Sequence, residues 1–130
     1  MYLRFAIREI DEDSNRQRGI FHAARNLVES GNLLPSEEDS LLELRNWFNQ
    51  HLEKPTRFTA SKPPFYRKQP KAIAWFKDTA VLHIEKIREM ANILESYGIA
   101  VDVFKAERVG YVVYEDEYQI VAEPFSDTIC

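Results

Sequence analysis

The chain has 130 residues, 45% hydrophobic and 29% charged, with 17 Lys and Arg against 21 Asp and Glu for a net charge of −4. That balance describes a water-exposed globular protein of one domain spanning residues 1–130, long enough to bury a core without disulfides. It argues against a general nucleic-acid or membrane binder. A single cysteine, Cys130, permits no disulfide within the chain and no cysteine-based zinc site. No apolar run reaches the roughly 20 residues of a membrane span, and the first residues lack a signal peptide's unbroken apolar run, so a cytoplasmic protein is expected.

Residues 2–10 alternate. Leu3, Phe5 and Ile7 face one way, and Tyr2, Arg4, Ala6 and Arg8 face the other, which predicts a half-buried strand. Glu9, Asp11, Glu12 and Asp13 form an acidic exit that reads as a solvated turn. Ser14 with Gln17 fits a capping box and predicts a helix start. Phe21, Ala24 and Val28, flanked by Ile20 and Leu27, give that helix an apolar stripe, and Gly31 ends it.

Pro35 and Ser36 open a second helix, over 36–53, with Glu37, Glu38 and Asp39 at its positive dipole end. Leu41, Leu44, Phe48 and Leu52 mark its buried face, and Trp47 sits at the edge. The short loop between the two helices predicts an antiparallel pair.

Lys54 to Lys71 breaks the pattern. It carries Lys54, Arg57, Lys62, Arg67, Lys68 and Lys71, six cations and no carboxylate. Removing these six from the 17 leaves 11 cations against 21 acids elsewhere. Four of the six prolines and three aromatic residues, Phe58, Phe65 and Tyr66, also fall here. Proline excludes a regular helix, so a basic loop at about 54–70 is expected, and loops of that length are usually functional or disordered.

Pro70 suits a helix start. Ile73, Phe76, Ala80, Ile84, Ile87, Ala91 and Leu94 recur at helical spacing and predict a third helix over 70–97, stopped by Gly98. At 1.5 Å per residue it would be roughly 40 Å long, more than the ~28 Å that twice the expected radius of gyration allows. Three alternating runs follow, at 99–104, 109–114 and 118–123, the last two forming a hairpin around Glu115, Asp116 and Glu117. Both faces of these strands carry aromatic and β-branched residues. One can take the helices, and the other can be covered by a second copy of the chain.

The fold expected is therefore α+β, in the order β-α-α-α-β-β-β, with an antiparallel four-stranded sheet and helices on one face. His22, His51 and His83 are the side chains that titrate near neutral pH by default. None lies in a metal or nucleophile motif, no glycine-rich phosphate loop is present, and no cofactor or metal is expected. The most economical function is non-catalytic binding. Lys54, Arg57, Phe58, Lys62, Phe65, Tyr66, Arg67, Lys68 and Lys71 would contact an acidic protein partner or a nucleic-acid backbone, through charge and stacking. A homodimer and no membrane association are expected.

Two resemblances bear on this. The stretches WFNQHLEKPTRF, KAIAWFKDTA and GYVVYEDEYQIVAEPF resemble a family of small bacterial proteins that brings no activity with it. The order strand, two helices and late meander is similar to that of ribosome-dependent ribonuclease toxins, although their basic sheet contrasts with the acidic hairpin here. That likeness implies the alternative function, a small RNA-cleaving enzyme with general acid–base groups drawn from His83, Arg57 and Lys68.

Overall fold

The computed structural model describes residues 1–12, 15–54 and 72–130. Along these the elements are β1 (Tyr2–Asp11), β2 (Arg16–Gly19), α1 (Ile20–Glu29), α2 (Pro35–His51), β3 (Ile73–Lys77), α3 (Val81–Ser96), β4 (Val101–Ala106), β5 (Tyr111–Glu115) and β6 (Gln119–Glu123). The class is α+β with an antiparallel sheet, as expected. Among the described residues six strands stand where four were expected, and the order gains β2 before the helices and β3 between α2 and α3.

Both corrections have a local cause. Ser14, the expected helix start, lies outside the described residues, and Gln17 of the expected capping box lies on a strand. Arg16–Gly19 pairs with the end of β1 (Ile10 opposite Gln17, Asp11 opposite Arg16), and the helix starts at Ile20 after an extended Gly19. Arg18 on β2 reaches Glu9 at 3.2 Å and Asp11 at 3.6 Å, so the acidic exit from β1 has a cationic strand beside it. The expected helix over 70–97 is a strand followed by a shorter helix. Asp78 and Thr79 interrupt the apolar pattern, and Ile73–Lys77 pairs with β6 from Ile73 opposite Ala122 to Phe76 opposite Gln119.

β1 organises the sheet. Along one edge it pairs with β4, from Tyr2 opposite Ala106 to Ile7 opposite Val101. A strand has only two edges, so its other partners share the second one. β3 takes Tyr2 and Leu3, and β2 takes Ala6 onward. The lateral order is thus β4, β1, then β2 and β3 end to end, with β6 and β5 beyond β3. β3 and β4 both run antiparallel to β1 and so parallel to each other, which requires the crossover that α3 supplies.

The two faces are covered differently. Leu3, Phe5, Ile7 and Phe76 meet Ile20, Ala23 and Leu27 of α1, Leu41, Leu44 and Phe48 of α2, and Ile87, Met90 and Leu94 of α3. Each such buried Leu, Ile, Phe or Met side chain contributes about 1.5–3 kcal/mol. On the opposite face Ile73, Trp75, Ile120 and Ala122 pack with Val109 and Cys130. The chain therefore covers with its own C-terminal segment part of the surface for which a second copy was expected. Arg16 clamps that segment, donating to the carbonyls of Thr128 at 2.7 Å and Phe125 at 3.2 Å. Burial pushes the Cys130 thiol above its ordinary value, opposed by the Arg4 and Arg16 charges.

Candidate functional site

A groove of about 970 Å³ opens between the end of α2, the start of α3 and the β5–β6 hairpin. Its geometry begins with helical spacing. Trp47 and His51 are four residues apart on α2, so their rings share one face, stacked at 4.3 Å and 11°. His51 Nδ1 donates to the Trp47 carbonyl at 2.7 Å. From α3, His83 inserts into the same cluster. Its ring stacks on Tyr118 at 4.3 Å and meets Trp47 edge-on at 4.8 Å. His83 is only 4% exposed, and its Nε2 donates to the His51 carbonyl at 2.8 Å.

The hairpin side is built by Asp116. Its Oδ1 accepts from the backbone N–H groups of Tyr118 at 2.9 Å and Gln119 at 3.1 Å, an Asx-type turn. Its Oδ2 accepts from the Tyr114 hydroxyl at 2.9 Å and Gln119 Nε2 at 3.1 Å. Partial burial works to raise the Asp116 pKa, but these four hydrogen bonds outweigh it and hold the carboxyl below its ordinary value. Burial, then the bond to Asp116, pushes Tyr114 up to about 12. Gln119 Nε2 also donates to the Glu53 carbonyl at 2.7 Å, joining the exit of α2 to the hairpin.

His83, Asp116 and Tyr114 could each move a proton, and each is committed to a hydrogen bond that holds the groove together. Among the described residues the groove offers a ligand an aromatic wall with the exposed carboxylates Glu53 and Glu117 and the exposed Lys54 on its rim. A separate cavity of about 440 Å³ lies between α1, α2 and the sheet, floored by Leu41, Phe48 and Met90.

Of the residues singled out from the sequence, Lys54 lies on the groove rim and His83 in its wall. Arg57, Phe58, Lys62, Phe65, Tyr66, Arg67, Lys68 and Lys71 lie outside the described residues. Sequence reasoning missed the pairing of Trp47 with His51, although a spacing of four was a usable signal. It also missed Asp116 as the organiser of the hairpin, which an Asp three residues before a strand can signal. Among the described residues no group of three His, Cys, Asp or Glu side chains is placed to hold a metal ion, and no helix is long and apolar enough to cross a membrane. No protein-family model matches the chain, and no curated protein or solved structure does so either.

Proposed function

We propose that the chain is a non-catalytic binding protein that meets a polyanionic partner, an acidic protein or a nucleic-acid backbone, through Lys54–Lys71. One observation carries this reading: six cations without a carboxylate in a chain of net charge −4. Cations left without opposite charge in their own segment repel one another, and a partner's negative charge relieves that repulsion. The anchoring of the segment adds support. At its start, the Glu53 carbonyl is held by Gln119 of β6, and at its end Ile73 pairs with Ala122 of the same strand. The residues flanking both ends therefore contact the same strand, β6, and binding segments are commonly carried on a scaffold in this way.

The alternative, RNA cleavage by His83 with Arg57 and Lys68, draws less support. The His83 ring is buried among Trp47 and Tyr118, and its Nε2 proton is engaged by a main-chain carbonyl. A general base needs reach to the proton it removes. The reading also includes a homodimer, supported by the exposed Tyr111 and Val112 on the outer strand β5. Sedimentation equilibrium checks this by the mass of two chains.

The binding reading is tested by titrating the protein with single-stranded RNA and with polyglutamate over a range of salt. Association that weakens log-linearly with salt, without RNA turnover, supports it. Failure to bind either polymer at low salt contradicts it. So does RNA cleavage that His83→Gln abolishes at unchanged melting temperature.

A further inference from the structure

Where β1 changes partner along its edge, from β3 at Leu3 to β2 at Ala6, the sheet has a notch. A cavity of about 250 Å³ occupies it, bounded by Arg4 and Phe5 of β1, Gln17 of β2, and Trp75 of β3. Three polar atoms of these lining residues are buried without a hydrogen-bond partner among the described residues: Arg4 Nη1, Trp75 Nε1 and Gln17 Oε1. Arg4 is 5% exposed and Trp75 is 1% exposed. Buried polar groups are nearly always paired, because leaving one unpaired costs about 1–3 kcal/mol and more for a charge. Three on one small cavity therefore point to an occupant.

The donor set defines that occupant. Arg4 has one arm engaged, its Nη2 donating to the Gln17 carbonyl, and the other open. The Trp75 indole can only donate. Gln17 Nε2 donates to the Asp102 carboxylate at 3.2 Å, which fixes the amide with Oε1 as its open atom. Two open donors, one of them charged, select an oxyanion. One open acceptor selects an O–H on the same molecule. Asp11 also borders the cavity, and its carboxylate lies 3.6 Å from Arg18. At about 250 Å³ the space falls below the roughly 300–1,000 Å³ of sites for drug-sized ligands, so the ligand is small.

We propose that the notch is a binding site for a small oxyanion that carries a hydroxyl, with Arg4 and Trp75 donating to its charged oxygens and Gln17 accepting from its O–H. Inorganic phosphate in its protonated forms and short 2-hydroxycarboxylates share this chemistry. The site is separate from the aromatic groove and does not depend on the partner reading above.

The test follows the indole N–H resonances of the full chain by NMR, with Trp47→Phe assigning the Trp75 signal. Phosphate, glycolate, acetate and chloride are added in turn. Saturable shifts of the Trp75 signal with phosphate or glycolate support the site, and the stronger of the two identifies the source. Acetate, lacking the hydroxyl, binds at least tenfold more weakly. Trp75→Phe keeps most of the packing, and its affinity, read by calorimetry, falls at least tenfold, as does that of Gln17→Met. The proposal is overturned if neither hydroxyl-bearing anion gives a saturable shift, if chloride reproduces it, or if the folded Trp75→Phe protein binds as tightly as the parent. A crystal grown in phosphate with only ordered water in the notch also overturns it.

Discussion

His83 donates its Nε2 hydrogen to the main-chain carbonyl of His51 at 2.8 Å, so a side chain from the first turn of α3 closes the last turn of α2. The ring lies between Tyr118 and Trp47, joining two helices to the hairpin. His83→Ala removes the aromatic contacts and leaves a helix-end carbonyl without its partner. A loss of about 2–4 kcal/mol in urea unfolding is expected. His83→Gln, which keeps an amide donor, recovers part of that loss. A cost under about 0.5 kcal/mol for the alanine variant, the level of an ordinary surface change, would show that the ring carries no structural role.

Asp116 sets the acid limb of stability. Its carboxyl is held below its ordinary value in the folded chain, so its contribution is present above the unfolded value of about 3.9 and is lost as pH falls through the folded value. Asp116→Asn loses an acceptor for Tyr114 and Gln119 and sets an amide donor against donors. It is expected to cost about 1–3 kcal/mol near neutral pH. Its stability should also fall less steeply than the parent's below about pH 4. Equal slopes for the two proteins in that range, by denaturant titration, would contradict the assignment.

Gly110 precedes β5 with φ +132°, and a Cβ there would lie 2.1 Å from the Glu123 carbonyl oxygen. The obstacle is backbone, which cannot rotate away as a side chain tip can. Gly110→Ala is expected to combine about 1–3 kcal/mol of backbone strain with displacement of β5 from β6. Amide hydrogen exchange would show lost protection at Tyr111–Glu115, and unchanged protection would refute the close approach.

Much of this fold was legible in the chain, and the lapses have physical reasons. Alternation gave β1 because Leu3, Phe5 and Ile7 face the helices, but Arg4 and Ala6 are buried as well, at 5% and 0% exposure. A polar residue on the second face concealed that the face is also covered. Three of the four residues expected on the buried stripe of α2, Leu41, Leu44 and Phe48, are buried because that helix has one solvated side, while Leu52 caps its end and is half-buried. β3 reads as helix in the sequence because Ile73 and Phe76 satisfy a spacing of three as well as a buried strand does, and five residues are too few to separate the cases. The excess length of the supposed helix was the signal against it. β2 is four residues long and its stability comes from pairing with β1, which no local pattern encodes. The notch was invisible for the same reason, since Arg4, Gln17 and Trp75 meet only through sheet register.

The central claim is that Lys54–Lys71 is the partner surface, and one triple variant tests it most directly. Arg57, Arg67 and Lys68 are changed together to Ser, and the complex recovered from the native host is compared with that of the parent by calorimetry, alongside urea unfolding of each protein. Truncating buried, paired interfacial charges costs about 2–5 kcal/mol each, while surface substitutions cost under about 0.5 kcal/mol each in folding. The account predicts a complex weakened by several kcal/mol and a nearly unchanged unfolding curve. An unfolded variant whose remaining folded fraction binds the partner normally would contradict it, and would make the segment an internal electrostatic strap against the protein's own acids.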